Sequence, residues 1–469
     1  MRLLVSLLFL AFFTPRENYA LNVHVQGEWL NGPESVSLHY LEDAVTPKTI
    51  DLKAVIDPVS RRFEFDIELD RPALLQLLNQ FFIVLPGDTA NLVVTGSEWT
   101  AQLHFEGPKG MEHSFLIRLK DSLGLFMVQE FAVNEHTIDA YKLAATRHYD
   151  SSVLFLNHDV AEKRVSPAFE KIAQDYLTMR YYSDLLFPLT ASAIRKEQLP
   201  KYYFELVNFS FFKKAELLGF REFVLAAAYY NAYYYAAISP DKPYDSLNVA
   251  AKIKSANRNF LGEVKDHLLW HIFVTLTRRG TVANSAQIQT LFEYLSGVFA
   301  TDDGRMQQLK DLKHAYEIVD RPLPQEILAQ ELKTQKGKSV SLKEVLTSDE
   351  VIYVDFWASW CGPCLGEMPY EKQLMAELEG SQVKFISISF DQDEKKWQKA
   401  IAKIKMKGDH YLMTEGFRSA LAKYISFNEI PRYVIVDKEG RLVSREAPRP
   451  SDILKNKAVL LGVTGQERP

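Results

Sequence analysis

The chain has 469 residues but only two cysteines, Cys361 and Cys364, which are two residues apart. Cysteines this scarce exclude a scaffold stapled by several disulfides. A disulfide between these two would close a very small loop and would therefore constrain the unfolded chain little. A zinc site needs two more ligands, and His410, the nearest histidine on the C-terminal side, stands alone. The pair is therefore better suited to redox chemistry than to structure.

The chain also lacks a strong excess of charge and a long apolar run. Its formal net charge is −5, which gives no reason to expect nucleic acid as a partner. The apolar run from Leu3 to Phe13 follows Arg2, precedes a small residue at Ala20 and is too short to span a bilayer comfortably. Residues 1–20 are therefore predicted to be a signal peptide, with an uncleaved anchor as the alternative. We expect export to the periplasm and no stable membrane span.

The hydrophobic patterns divide the remaining chain into three parts. Residues 21–110 contain short alternating runs between turn residues, clearest from Arg62 to Leu69, and predict a β-sandwich. Residues 111–320 carry apolar residues at helical spacing and predict an all-α middle region. Residues 321–469 mix strand and helix patterns and predict a C-terminal α/β domain. A linker is expected from Asp320 to Lys338, where prolines interrupt the helical pattern.

The helical region is unusually rich in tyrosine over a short stretch. Tyrosines at helical spacing can line a groove for a peptide or sugar, or they can pack helix against helix while their hydroxyls find partners. The sequence leaves both interpretations open. The residues concerned are Tyr202, Tyr203, Tyr229, Tyr230, Tyr233, Tyr234 and Tyr235.

The two cysteines lie where a predicted strand meets a predicted helix. The apolar run 351–354 predicts a buried strand, and residues 365–378 predict a helix. Cys361 thus falls at a helix N-terminus, where unpaired N–H groups and the helix dipole favour an anion. Because the thiolate is the nucleophile in disulfide exchange, Cys361 is predicted to attack. Cys364 lies one turn further in and is predicted to resolve the mixed disulfide.

Residues 355–364 read Asp-Phe-Trp-Ala-Ser-Trp-Cys-Gly-Pro-Cys, which resembles the active-site segment of thioredoxins. The wider pattern resembles the exported thioredoxin-like reductases of the TlpA/ResA type. Three further motifs support this, namely Glu-Met-Pro at 367–369, a strand at 385–390 that ends at Asp391, and a strand at 430–437 that begins with the family's cis-proline. The N-terminal part is similar to the small domain that precedes thioredoxin domains in Bacteroidetes-type proteins.

The resemblance implies a thioredoxin fold with a mixed central sheet from about Pro322 onward, and a role for Asp355. In thioredoxins an aspartate at this position exchanges a proton, through water, with the second cysteine, here Cys364. A solvent-facing aspartate at the end of the strand is the alternative. Thioredoxins often place a lysine near this aspartate, but Ser387 occupies the matching position here, so Asp355 is expected to titrate unassisted.

The resemblance also implies a substrate-binding surface around the cysteines. The backbone of Ile430, next to the cis-proline, is left free to pair with a substrate strand. Arg432 follows, and its charge is expected to favour a thiolate or an acidic substrate. The predicted substrate-binding residues are Trp360, Gly362, Pro363, Ile430 and Pro431.

The function predicted from these residues is that of a thiol–disulfide oxidoreductase, specifically a reductase of protein disulfides outside the cytoplasm. The partners expected are a disulfide-containing protein and a membrane electron donor, with no cofactor and no metal. Four alternatives stay open. They are an oxidase or isomerase on the same site, a binding or adaptor protein that uses the aromatic helical region, a peroxidase and a structural protein.

Overall fold

The computed structural model describes residues 20–41, 49–97, 99–124, 133–190, 194, 198–235, 246–279, 284–300, 304–405, 408–427, 429–454 and 460. The predicted signal peptide, 1–20, lies outside these ranges except for Ala20. The chain divides into two compact units, Met1–Pro188 with Leu199–Ala227 and Leu189–Gln198 with Ala228–Pro469. The predicted domain boundaries at residues 110 and 320 stay a prediction.

The first unit begins with two four-stranded sheets, one in the order β4-β1-β7-β8 and the other in the order β3-β2-β5-β6. The strict alternation from Arg62 to Leu69 gives β4 one buried and one exposed face, as its pattern predicts. The buried faces of both sheets contribute to one hydrophobic cluster, which includes the fully buried Trp29. The strands are β1 Leu21–Glu28, β2 Ser35–Leu41, β3 Thr49–Val55, β4 Arg62–Leu69, β5 Ala73–Leu77, β6 Gln80–Val84, β7 Thr89–Thr95 and β8 Gln102–Glu106.

Helices follow the strands, as the apolar spacing predicts. In one of the two 24-residue helices, Pro167–Thr190, apolar residues at helical spacing are buried, among them Phe169, Ala173 and Leu177. No helix within the described ranges has both the length and the apolar character needed to cross a membrane. The helices up to residue 229 are α1 Gly110–His113, α2 Phe115–Leu123, α3 Ile138–Ala161, α4 Pro167–Thr190 and α5 Arg221–Tyr229.

The second unit opens with helices that follow a π-helical turn, Tyr230–Tyr235. Tyr230 is buried and packs edge-on against Phe260, with ring centroids 6.1 Å apart, which favours the packing interpretation for this tyrosine. The side chains of residues 233–235 lie outside the described part. The helices are α6 Ser246–Asn259, α7 Gly262–Arg279, α8 Ser285–Val298 and α9 Gly304–Glu317.

A mixed seven-stranded sheet forms the rest of the second unit, in the order β10-β9-β13-β12-β11-β14-β15. Strands β11, β12 and β13 are parallel to one another, whereas β14 runs antiparallel to β11. The strands are β9 Glu331–Thr334, β10 Ser339–Ser341, β11 Val351–Trp357, β12 Val383–Ser389, β13 Asp409–Leu412, β14 Arg432–Val436 and β15 Leu442–Ser444. The helices are α10 Gln325–Leu328, α11 Leu342–Leu346, α12 Gly362–Glu377, α13 Glu394–Ile404, α14 Ala420–Tyr424 and α15 Pro450–Ile453.

Strand β11 lies inside the sheet between β12 and β14, and all seven of its residues are buried. One face of the sheet carries a cluster with Val354 and Phe356, and the opposite face carries clusters with Tyr353 and Trp357. Burial on both faces explains why this strand reads as a continuous apolar run. Asp355 is the one ionisable carboxyl in that run.

The expected linker at 320–338 is ordered and belongs to the sheet. The backbone N–H of Asp320 donates to the carbonyl of Leu442 at 2.7 Å, and Pro322 forms an isolated bridge with Arg441. β9 completes the segment by pairing with β13. The prolines do end the preceding helix, but unpaired backbone groups of the existing sheet provide partners for the chain that follows.

Candidate active site

Cys361 and Cys364 form a disulfide at the N-terminus of α12, with their Cα atoms 5.3 Å apart. Cys361 occupies the N-cap position, and its Sγ accepts a hydrogen bond from the backbone N–H of Cys364 at 3.2 Å. Both cysteines are largely buried, at 5% exposed for Cys361 and 2% for Cys364. The two cysteines therefore differ less in exposed fraction than their order on the helix predicts. Their positions on the helix, and not their exposure, distinguish them.

The predicted substrate-binding residues surround this end of the helix. Trp360 is 63% exposed, and Gly362 and Pro363 are also exposed. The peptide bond between Ile430 and Pro431 is cis, and both residues are partly buried. The geometry therefore leaves an accessible rim that contains a large aromatic side chain.

Asp391, just beyond β12, holds the segment that leads to Cys361. Its carboxyl accepts hydrogen bonds from the backbone N–H of Ser359 at 2.9 Å and from the Ser359 hydroxyl at 2.7 Å. The hydroxyl of Ser389 donates to the same carboxyl at 2.7 Å. The sequence identifies Asp391 only as the end of a strand, because its partner lies on a different strand–helix connection.

Asp355 is 2% exposed, which excludes the solvent-facing alternative. The carboxyl of Glu371, on α12, lies within hydrogen-bonding range of it. Burial first, and then the charge of Glu371, raise the pKa of Asp355 well above its ordinary value. The expectation that Asp355 titrates unassisted is therefore wrong, because a second carboxyl rather than a lysine faces it.

Glu367 is the third carboxyl near the cysteines, one helical turn before Glu371. It accepts hydrogen bonds from the backbone N–H of Ser451 at 3.1 Å and from the Ser451 hydroxyl at 2.9 Å. The spacing of four residues between Glu367 and Glu371 is the one sequence signal that places both on one helix face.

Ser387 lies directly beside Asp355 in the register of β12 with β11, and His410 lies beside Ser387 on β13. Residues opposite each other in adjacent strands point to the same face, so these three form a row beneath α12. All three are buried. The position that a lysine often occupies in thioredoxins thus holds a neutral hydroxyl.

Arg432 is paired with acidic side chains. Its guanidinium lies 2.5 Å from the carboxyl of Glu446 and 3.5 Å from that of Glu429. The guanidinium also lies over the Phe427 ring, 5.6 Å from its centroid. The expectation that its charge favours a thiolate is not supported, because Glu446 and Glu429 neutralise it locally.

Within the described ranges, no group of three or more histidine, cysteine, aspartate or glutamate side chains is arranged to hold a metal ion. The arrangement consists of a sulfur pair at a helix N-terminus, an exposed rim that includes Trp360, and two buried carboxyls, Asp355 and Glu371, where α12 packs against the sheet. These are the parts that thiol–disulfide exchange needs, namely an attacking thiolate, a resolving thiol and a proton acceptor.

The sheet, the helix that follows β11 and the cysteine pair define a thioredoxin-like thiol–disulfide oxidoreductase domain. Residues 317–459 match the family model described as Redoxin, so this C-terminal part of the chain is a redoxin domain.

Known proteins similar to the chain match this same part. A thiol-disulfide oxidoreductase ResA from Bacillus cereus is 24% identical over 110 residues, 24% of this chain and 61% of that protein. A thioredoxin from Chlorobaculum thiosulfatiphilum is 50% identical over 40 residues, 8% of this chain and 37% of that protein. The solution structure of a thiol:disulfide interchange protein from Bacteroides sp. is 27% identical and covers 30% of this chain and 91% of that one, with a TM-score of 0.26. The chain thus spans about three fifths or less of these two curated relatives.

Proposed function

We propose that this protein reduces disulfides of other proteins outside the cytoplasm, with Cys361 as the attacking and Cys364 as the resolving residue. The observation that carries the proposal is the Cys361–Cys364 disulfide at the N-terminus of α12, in a cluster against which Ile430, the residue before cis-Pro431, is packed. The reaction exchanges electrons between sulfur pairs, so it requires no cofactor and no metal.

The N-cap position supports Cys361 as the nucleophile. In the reduced protein, the N–H of Cys364 that now donates to the Cys361 sulfur would stabilise a thiolate there, together with the helix dipole. The Cys364 sulfur lies inside the first turn, where it is positioned to attack the Cys361 sulfur of a mixed disulfide. Asp355 serves as the proton acceptor for Cys364, through water.

The exposed rim supports a protein substrate rather than a small thiol. A substrate strand pairs with the backbone of Ile430, because the following proline leaves no N–H there to compete. The Trp360 side chain covers the bound segment, and the exposed Gly362 and Pro363 allow it to approach the sulfur.

The charges around the site support reduction rather than oxidation. Strong oxidants in this class are strong because their reduced form is over-stabilised, typically by a cysteine of very low pKa. Here Asp355 lies two residues before Trp357, which shares a hydrophobic cluster with Cys364. Glu367 and Glu371 follow Cys364 on α12, and Arg432 is neutralised by Glu446. Negative charge disfavours a thiolate. A reductase in an oxidising compartment needs resupply of electrons, for which we propose a membrane electron donor.

The proposal includes the architecture and location of the chain. The hydrophobic cluster shared by the two N-terminal sheets supports a β-sandwich at residues 21–110, followed by a helical region to residue 320 and the α/β thioredoxin-like domain at 321–469. The apolar run after Arg2 supports a signal peptide at 1–20 and residence in the periplasm.

The test is to trap the intermediate on each cysteine in turn. Cys364→Ser is expected to accumulate a stable mixed disulfide on Cys361 with a protein substrate, and Cys361→Ser is expected to lose reductase activity. Mass spectrometry of the trapped adduct locates the bond. Adducts on Cys364, or activity retained in Cys361→Ser, would overturn the assignment.

A further inference from the structure

The carboxyl group of Asp355, on β11, faces the carboxyl group of Glu371, on α12. Each residue is 2% exposed, and the two carboxyls lie within hydrogen-bonding range. Ionised carboxylates only accept hydrogen bonds, so two of them in this position need a proton between them. Two like charges this close in a buried site also cannot both be present without a large cost.

The groups around this pair add no positive charge in contact with it. Tyr353 on β11 and Tyr433 on β14 stack beside it, with ring centroids 5.3 Å apart. Glu367 lies one helical turn away and is held by Ser451. Ser387 is the neighbour on β12, with His410 beyond it on β13. The charge of Arg449 acts on Tyr433, whereas the charges that act on Asp355 and Glu371 are those of carboxyls.

We propose that Glu371 is a positioning residue that shares one proton with Asp355, so that the pair, rather than Asp355 alone, takes the proton from Cys364 during the resolving step. This inference rests on the proposed function and deepens it. Glu371 occupies the place in the mechanism that a lysine fills in many thioredoxins, with the opposite charge and from a helix instead of a strand.

A pair has an advantage over a single buried carboxyl. Burial raises the pKa of Asp355, so a lone aspartate here would keep its proton to a higher pH than an exposed one and would accept a proton over a narrower pH range. With one proton shared between two carboxyls, the pair keeps one negative charge. The pair can therefore still accept a proton at a pH where a single buried carboxyl would already be protonated.

Bonds, electrons and protons are all conserved in the reaction. Cys361 thiolate attacks the substrate disulfide, one substrate sulfur leaves as a thiolate, and a mixed disulfide forms. The singly protonated carboxyl pair then takes the proton of the Cys364 thiol, and the Cys364 sulfur attacks the Cys361 sulfur. The bond between Cys361 and the substrate breaks, the protein is oxidised, and the pair returns the proton to the leaving substrate sulfur.

The resolving step can be isolated in the full chain with dithionitrobenzoate, a small disulfide whose thiol product is coloured. Stopped-flow mixing with the reduced protein is expected to release the coloured thiol in two phases. The first depends on reagent concentration and reports attack by Cys361. The second does not, and reports attack by Cys364. Only the second phase should depend on the carboxyl pair.

Glu371→Gln keeps the shape of the side chain and removes its proton site. We expect the acid limb of the second phase to move to higher pH by about one unit, because Asp355 alone keeps its proton to a higher pH than the pair does. The rate near pH 7 should fall several-fold, roughly 3- to 10-fold, because a smaller fraction of the protein then has a carboxylate free to accept the proton. The first phase should be unchanged. Glu377→Gln, an exposed glutamate on the same helix, is the matched control.

The double variant Asp355→Asn/Glu371→Gln separates a shared proton from two independent effects. Asp355→Asn alone should slow the second phase near neutral pH, with the loss shrinking near pH 9, above the ordinary thiol pKa of about 8.5. If Glu371 acts through Asp355, the double variant will be no slower than Asp355→Asn. An unmoved acid limb in Glu371→Gln, or slowing that multiplies in the double variant, would overturn the proposal.

Infrared titration of the wild-type protein and of Asp184→Asn gives a test that leaves the pair unchanged. A shared proton predicts a protonated carboxyl band that persists at pH 7 in both proteins, including the one that lacks Asp184, a carboxyl whose pKa burial also raises to about 7. Its absence would overturn the pairing even if the trapping experiment succeeds. Its presence together with failed trapping would leave the pair intact and refute the proposed function instead.

Discussion

The carboxyl of Asp391 accepts two hydrogen bonds from Ser359, one from the backbone N–H at 2.9 Å and one from the hydroxyl at 2.7 Å. Ser359 lies two residues before Cys361, so this contact fixes the loop between β11 and the reactive helix end. Asp391 is 2% exposed, and its position in turn is held by Ser389. A buried contact of this kind links the geometry of the cysteine pair to the neighbouring strand.

Asp391→Ala is therefore expected to slow disulfide exchange by about 10-fold and to lower the free energy of unfolding by roughly 2–4 kcal/mol, because buried donors lose their acceptor. Rates with a model disulfide and thermal unfolding measure the two effects. Asp393→Ala is the control, since Asp393 caps α13 with two hydrogen bonds and should cost only about 1 kcal/mol. Equal rates in the two variants would contradict the positioning role of Asp391.

Trp360 is predicted to bind protein substrates and not to take part in the chemistry. Trp360→Ala should raise KM for a protein disulfide by about 5- to 30-fold, the range for an exposed aromatic anchor at an interface, and leave reduction of a small disulfide unchanged. Trp99 is 90% exposed in the first unit, so Trp99→Ala provides a matched control. Parallel losses with small and large substrates would place Trp360 in the chemistry instead.

The buried carboxyl pair also predicts how stability depends on pH. Burial raises the pKa of Glu371 from 4.5 to about 7, and that of Asp355 rises as well. Between pH 4.5 and about pH 7 the folded protein binds more protons than the unfolded chain, so the free energy of unfolding falls as pH rises through this range. The raised pKa of Glu371 accounts for about 3 kcal/mol of this fall, at about 1.4 kcal/mol per pH unit.

The measurement compares thermal unfolding of wild type and Glu371→Gln at pH 5 and pH 8. The variant should lose less stability across this interval. The comparison with a variant is needed because Asp184, another buried carboxyl, has its pKa raised to about 7 by burial and titrates in the same window. Identical pH dependence in both proteins would show that Glu371 is not protonated in the fold.

The sequence predicts the parts of this fold whose pattern is local. The strict alternation from Arg62 to Leu69 predicts β4 at its observed bounds, and the apolar run at 351–354 predicts β11. β5, with the sequence Ala-Leu-Leu-Gln-Leu, is missed because its leucines suit a helix as well as a strand. The pairing of β9 with β13 is a contact between residues distant in sequence, so no local pattern predicts it.

The residues of the site also divide into those that a local motif predicts and those that only the tertiary structure brings together. The cysteine pair and Pro431 are found from contiguous motifs, and the structure brings them to one end of α12. Glu371 is not found, although its spacing from Glu367 indicates a shared helix face. Whether that face points at Asp355 depends on how α12 packs on the sheet. A local motif does not carry that information, so the electrostatics of the site emerge only from the tertiary structure.

The direction of electron flow is the prediction with the widest consequence. Gly362-Pro363 resembles the dipeptide of reducing thioredoxins, whose potential is near −270 mV. The structure adds one argument, because Glu446 and Glu429 pair with Arg432, whose charge would otherwise favour a thiolate. Equilibrium of the purified protein with glutathione or dithiothreitol buffers measures the potential.

We expect a value well below about −180 mV, the potential typical of disulfide isomerases. Arg432→Ala should leave this value nearly unchanged, whereas Glu371→Gln should shift it in the oxidising direction, because removing a negative charge favours the thiolate in the reduced form. Both variants keep the cysteines and are compared at the same pH. A wild-type potential above about −180 mV would refute reduction as the direction and favour an oxidase or isomerase on the same site, since only an over-stabilised reduced form produces so oxidising a pair.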